Sequence, residues 1–282
     1  MKNVFIIGAG RSGTNLLRDI LCHFEGVVTW PCDEINYIWK HGNKKTVTDE
    51  LGVEHARPEV KKYLQNEFEK FSSSNNASIL VEKTCANSLR VPFINEIFPE
   101  GKYILLLRNG LDVTASALKR WKAPLDIPYI YKKAKWIPKI DIPYYAFNYF
   151  TNRLKKVFSK SKSLAFWGPK YKDMAADLSS RSLEEVCALQ WSRCVEKSIT
   201  DLENLGSDKY IKVYYENLVS EPISEVKRII EFMELNISYV DLVSACDCVS
   251  TNSLSKGNKE LTIDSQQKIR EIVDPIIKKH FL

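Results

Sequence analysis

Two patterns of apolar and polar positions alternate along this chain. Short continuous apolar runs stand at Asn3–Gly8, Ser78–Val81, Lys102–Leu107 and Tyr210–Tyr214, and runs of this kind mark strands covered on both faces. Between them, apolar residues recur at three- and four-residue intervals. That spacing predicts helices over Thr14–Phe24, Glu59–Phe71, Asn87–Ile97, Leu111–Trp121, Ser182–Leu205, Ser224–Met233 and Gln266–Lys279, with Pro275 expected to kink the last. Strands alternating with helices predict an α/β fold, a parallel sheet flanked by helices. A length of 282 residues suits a single domain, 1–282, with insertions.

The alternation fails after Lys122. The stretch to Lys172 holds Pro124, Pro128, Pro138, Pro143 and Pro169, and it repeats a tetrapeptide, Asp126–Tyr129 and Asp141–Tyr144. One repetition is a local echo, not a solenoid. An insertion over roughly 122–180, aromatic, basic and draped on the core, is expected. Charge marks the same stretch. Residues 119–172 carry fourteen Lys and Arg against Asp126 and Asp141, a net +12 in a chain whose total is +6, so the remainder is −6. Thirteen of the 31 aromatics also fall there. A localised positive field implies an anionic partner.

Bulk composition narrows the classes. With 44% hydrophobic and 27% charged residues the chain reads as globular. No apolar run approaches the roughly 20 residues that span a bilayer. The apolar stretch in MKNVFIIGAG is too short for a secretory signal and no small-residue cleavage site follows it, so a cytoplasmic location is expected, with peripheral contact at a membrane surface left open by the basic segment. Seven cysteines without a C-x-x-C pair and four scattered histidines argue for free core thiols and no His/Cys metal site. No nucleic-acid partner is expected, and oligomeric state is not legible.

Candidate chemistry begins at Gly8-Ala-Gly10-Arg11-Ser12-Gly13-Thr14-Asn15, between a strand and a helix. Successive backbone N–H groups at such a turn, with the positive helix end behind them, bind phosphate-like anions. Three readings compete. As G-x-G-x-x-G the loop suggests a dinucleotide-binding oxidoreductase; Glu34 stands near the spacing of the ribose-binding acid, but Trp30-Pro31-Cys32-Asp33 before it is not a strand. As a nucleoside-triphosphate loop, the fold of a nucleotide kinase, it has Thr14 where the lysine belongs. The third reading rests on more of the chain. Arg11-Ser-Gly-Thr-Asn-Leu-Leu17, the ordered block from Val81-Glu-Lys-Thr84 through Arg90-Val-Pro-Phe93 to Arg108-Asn-Gly-Leu-Asp112 and Ser116, then Tyr215-Glu-Asn-Leu-Val219 with Pro222, and Leu254-Ser-Lys-Gly257 together resemble the sulfotransferases that use 3′-phosphoadenosine-5′-phosphosulfate (PAPS).

That resemblance implies a P-loop-like central sheet and transfer of a sulfuryl group from PAPS to an acceptor hydroxyl, releasing adenosine 3′,5′-bisphosphate (PAP). It implies two anion sites. Gly10, Arg11, Ser12, Gly13, Thr14 and Asn15 would hold the 5′-phosphosulfate. Arg108 and Ser116 would hold the 3′-phosphate, joined by Arg120 one helical turn on; Tyr215 and Lys256 are weaker nucleotide contacts. Arg11 and Lys83 are the candidate cations for the leaving phosphate. By similarity to tyrosine-directed members, Glu34 is the candidate general base, with Asp33 and Glu82 behind it; His23, at a helix end, is expected to be structural. The acceptor is not written in a motif. Its contacts are expected from 35–75 and 119–172, with Trp121, Trp136, Tyr144, Tyr145 and Trp167 among them. A saccharide, acidic or membrane-linked, is the first expectation, with a phenol, a lipid or a peptide tyrosine left open.

Overall fold

The structure, a computed structural model, describes residues 2–124, 126–147 and 167–281. Five parallel strands, β1 (Lys2–Ile7), β2 (Val27–Val28), β3 (Ile79–Glu82), β4 (Lys102–Leu107) and β5 (Tyr210–Tyr214), form one sheet in the order β2-β3-β1-β4-β5. Away from Lys2, Asn3, Glu82 and Lys102 at their ends, the central strands are apolar at successive positions because both faces are covered. Phe5, Ile7, Leu80, Tyr103, Leu105 and Leu107 point to one core, under the helices Pro58–Ser74, Val91–Ile97, Gly110–Lys122, Leu183–Glu203 and Ile263–His280. The alternate positions Val4, Ile6, Ile79, Val81, Ile104 and Leu106 point to the other, under Thr14–Leu21, Tyr215–Ser220, Pro222–Phe232 and Tyr239–Cys246.

The order decides where a ligand can sit. The helix after β1 packs on one face of the sheet and the helix after β4 on the opposite face. Neighbouring strands β1 and β4 therefore send their following loops apart, and a crevice opens at their carboxyl ends, the usual ligand position in such sheets.

The structure departs from the hydrophobic pattern in three places. A fifth strand, Val27–Val28, pairs with β3 at the sheet edge; two residues give no periodicity to read. The helix expected over Asn87–Ile97 is divided into a 3-10 turn, Cys85–Leu89, and a helix that begins at Val91. Pro92 fits a first turn, where its missing N–H costs nothing, but not a helix interior. The helix expected from Ser182 to Leu205 is Leu183–Glu203, started by Ser182, whose hydroxyl accepts from the Glu185 N–H while the Glu185 carboxylate accepts from the Ser182 N–H. Of the expected insertion, Ile127–Ala134 is a helix; the part from 148 to 166 lies outside the described residues.

Candidate functional site

The loop after β1 is shaped by two left-handed residues, Arg11 at φ 75° and Gly13 at φ 93°. Gly13 has no alternative. A Cβ there would press into the Tyr215 ring, well inside van der Waals contact. Gly13→Ala therefore combines positive-φ strain with a steric clash, and we expect it to abolish adenosine-bisphosphate binding by calorimetry; binding within threefold of wild type would show that the loop does not depend on this contact. Gly10 lies under Trp167, whose ring would stand 3.2 Å from an added Cβ.

Around this loop, side chains from distant parts of the chain interlock. Arg108, just past β4, donates through Nη1 to the Arg11 carbonyl (3.1 Å) and through Nη2 to the Ser253 carbonyl (2.6 Å). Its guanidinium lies 4.2 Å from the centre of the Tyr215 ring, a stacked cation–π arrangement. The Tyr215 hydroxyl bonds Ser253 Oγ. The helix Gly110–Lys122 then starts on Asn109, whose side chain accepts from the Leu111 N–H. Ser116 on that helix accepts from Arg11 Nε at 3.0 Å. Asp112, one turn earlier, accepts from the backbone N–H groups of Ser255 (2.9 Å) and Gly257 (2.8 Å), which fixes the turn presenting Lys256. Asp112 and Ser253 are scaffold residues that the motif blocks contained or adjoined but whose role no spacing disclosed.

The second half of the site gathers below β3. The register places Glu82 opposite Phe5, so Lys83 emerges level with the end of β1, where the anion loop begins. Lys83 is not the solvated strand-end lysine its position permits; its side chain is 2% exposed, and Nζ donates to Asp33 Oδ1 at 3.3 Å. Arg18 Nη1, from the loop helix, donates to the same Asp33 oxygen at 2.8 Å. Burial would raise the Asp33 carboxyl, but Lys83 and Arg18 outweigh it and hold it down at about 2. Glu34, next in the chain, accepts at Oε1 from the Cys85 N–H (3.2 Å) and at Oε2 from Lys133 Nζ (2.9 Å). Burial again opposes ionisation, and Lys133 first and Lys83 second hold Glu34 at about 2.

Glu82 sits apart from these carboxylates. It is 1% exposed, accepts from Thr84 Oγ1 and Asn87 Nδ2 at 2.6 Å each, and burial pushes its carboxyl up. Its place is a buried network with Arg90 and Asn87, in which Arg90 Nη2 also reaches Asn36 Oδ1 at 2.7 Å.

One cavity of about 760 Å³ joins the two halves. Gly10, Arg11, Gly13, Thr14, Asn15, Arg108, Ser116, Arg120, Tyr215 and Lys256 line it together with Glu34, Asp33 and Lys83. Of the predicted site residues only Ser12 is not on the wall; it is 1% exposed, beneath the loop. Ser12 Oγ and Arg108 Nε are among the eleven buried side-chain polar atoms that have no hydrogen-bond partner in the protein among the described residues. Unsatisfied buried donors are costly; the wall itself carries Arg11, Lys83, Arg108, Arg120 and Lys256 beside the loop, so the donor set fits a ligand with phosphate at each end. The wall also holds Asn36, Tyr37, Asp49, Cys85, Asp126, Lys133, Trp167, Gly168 and Pro169. The stretches 35–75 and 119–172 supply most of the rest of the wall, with Cys85, Ala86 and Ser253 from elsewhere. Among their aromatics, Trp167 lines it, whereas Trp121 is 5% exposed in the core and Trp136 packs edge-on against Trp30 at 5.1 Å. Tyr144 and Tyr145 form an aromatic cluster with Tyr37, 4.8 Å from Tyr145. Among the described residues no cluster of three or more His, Cys, Asp or Glu could hold a metal ion, and no helix is long and apolar enough to cross a membrane.

The family model described as "Sulfotransferase family" matches residues 3–133 and 151–239. The chain belongs to this family. A protein-tyrosine sulfotransferase A of Caenorhabditis elegans is 23% identical over 289 residues; the match covers 98% of this chain and 60% of that protein, so the chain spans little more than half the relative's length. Among solved structures, a sulfotransferase domain from the curacin biosynthetic pathway superposes with a TM-score of 0.54 at 14% identity, covering 96% of this chain and 97% of that one. A mouse sulfotransferase solved with PAP gives 0.50 at 12% identity, covering 96% and 82%. At these identities the superpositions establish the fold: a sulfotransferase-type parallel sheet with its P-loop-like turn after β1.

Proposed function

We propose that the chain acts as one sulfotransferase domain, moving a sulfuryl group from PAPS to an acceptor hydroxyl. The observation that carries this reading is one cavity whose wall brings the glycine loop, Arg108, Ser116 and Arg120 together with an ion-paired Lys83, Asp33 and Glu34. PAPS supplies the sulfuryl group, its bond to the 5′-phosphate oxygen breaking as the acceptor oxygen bonds to sulfur and PAP leaves with the electron pair. The loop amides, Ser12, Thr14 and Arg11 hold the phosphosulfate, and Arg108, Ser116 and Arg120 hold the 3′-phosphate. Lys83 and Arg11 meet the charge that grows on the departing phosphate, the electrostatic contribution that dominates transfers of this kind. Glu34 takes the acceptor's proton.

Thermal-shift measurement tests the nucleotide assignment. PAP at a hundredfold excess over its Kd stabilises by about 2.7 kcal/mol, roughly 5–10 °C for a chain of this size, while ATP does less. Stabilisation by nicotinamide dinucleotide in place of PAP would return the loop to the oxidoreductase reading.

For the acceptor, the basic and aromatic surface beside the cavity supports a saccharide, whose rings stack on aromatic faces. A specific observation favours a second reading. A carboxylate held near 2 by two lysines is a weak base, better matched to a phenol of pKa about 10 than to an aliphatic alcohol, and the nematode relative is named for action on protein tyrosine. The location we propose is cytoplasmic, with the exposed lysines of 119–147 available to an anionic surface.

A further inference from the structure

Lys133 stands out in its helix. Lys132 and Lys135, its neighbours, are exposed, as is Tyr131 at 65%, so this face of Ile127–Ala134 is solvated. Lys133 alone of these turns inward, with a side chain 20% exposed, to reach Glu34. It does so from an anchored segment. Trp136 is wedged against Trp30. Asp141, 1% exposed, accepts from His41 Nδ1 at 2.7 Å and pairs with Lys44. The ammonium is therefore presented to the cavity by the fold and is not a stray surface contact.

The atom it meets matters. Glu34 Oε1 is engaged by the Cys85 amide, so Oε2 is the oxygen left to receive a proton, and Oε2 is where Lys133 sits. A base must come within hydrogen-bond reach of the hydroxyl it serves, and an ion pair on the reacting oxygen both obstructs that approach and weakens the base. We propose that Lys133 is a specificity-determining gate on Glu34: an acceptor bearing an anionic group beside its hydroxyl takes the ammonium for itself and frees Oε2, whereas an acceptor without one leaves the base occupied. This rests on Glu34 being the base and on the cavity being the sulfuryl-transfer site. It ties the charge of the segment to turnover through one named contact.

Three phenols of one shape and different charge test the gate: 3-(4-hydroxyphenyl)propionate, 4-ethylphenol and tyramine, with PAPS as donor and PAP release as the readout. Wild type is expected to favour the propionate over 4-ethylphenol by on the order of tenfold in kcat/KM, as for one charge-assisted contact, with tyramine poorest. Lys133→Met should bring the three within about threefold of one another and raise turnover of 4-ethylphenol, while Lys133→Arg keeps the order. Unchanged discrimination in Lys133→Met overturns the gate. The pH profile adds a readout that lost packing would not move. Glu34 faces Lys133, Lys83 and the Cys85 thiol, and loss of Lys133 removes the largest influence lowering its pKa, so the acid limb of kcat/KM moves to higher pH; an unmoved limb counts against the proposal. A measurement without acceptor separates the gate from the wider reading. In the PAP complex, Glu34→Gln should speed amide hydrogen exchange across 127–134, and unchanged exchange would show that the contact does not hold the helix. If PAP binds but no phenol is sulfated, the gate on aryl acceptors is overturned while the donor assignment stands; if PAP does not bind, the sulfotransferase assignment itself fails.

Discussion

Glu34→Gln is expected to lower kcat by about 10²–10⁴-fold, the range for loss of a general base, and to leave PAP affinity within a factor of about two. The substitution is nearly isosteric. Its amide oxygen can still accept from the Cys85 N–H, so the turn carrying Glu34 keeps one of its two observed tethers. What disappears is the capacity to take a proton. Donor binding is expected to be spared because the phosphate contacts proposed above come from the β1 loop, Arg108 and the helix Gly110–Lys122, not from Glu34. The pH behaviour has a definite sign. The Glu34 pKa in the folded protein lies below its ordinary value, so the carboxylate is ionised throughout the neutral range and its ion pair is lost only as pH falls toward about 2. The wild-type rate should therefore stay flat through mild acid where Glu34 is concerned. Turnover of the glutamine variant near that of wild type would move the role to Asp33, the other carboxylate on the same wall. Steady-state PAP release and calorimetry with PAP decide it.

Lys83→Ala is expected to reduce kcat by about 10²–10³-fold, as for removal of one preorganised group that stabilises developing charge, with a smaller loss, under about tenfold, in PAP affinity. The lysine is nearly inaccessible and sits where the end of β3 meets the start of the anion loop. A charge so placed need not reorganise when the phosphate departs. The fold should survive, because Asp33 keeps Arg18 at 2.8 Å when Lys83 is gone. A melting temperature close to wild type, with collapsed turnover, is the expected pair of results. Lys83→Arg should recover part of the rate, since it restores the charge with a bulkier head. A kcat within threefold of wild type in the alanine variant would leave Arg11 as the cation that matters.

Much of this molecule could be read from its residues in order. KYILLL names a strand buried on both faces because only a doubly covered strand is apolar at successive positions, and the structure has β4 at Lys102–Leu107. The glycine turn after β1 and the Arg108–Ser116 spacing were legible for the same reason: each is a local geometry, a tight turn and two turns of helix, that a few neighbouring residues specify. Family membership followed from several such local blocks standing in one order. The contacts between blocks were not legible. Nothing in the spacing of Asp112 shows that its carboxylate holds the N–H groups of Ser255 and Gly257, more than 140 positions later. Nor could the basic segment say which of its lysines reaches Glu34, or that Trp121 is core and Trp136 packs half-buried against Trp30 while Trp167 lines the cavity. Periodicity reports which side of an element is apolar, not what lies across from it. The ionisation of Asp33 and Glu34 belongs to the same class, since it depends on cations brought from Arg18, Lys83 and Lys133. Local conformational preference determined the strands, the loop and the family; the closing of the sheet and the packing of its helices determined which charges meet, because Coulombic and hydrogen-bonded pairing act over a few ångströms in space and are indifferent to distance along the chain.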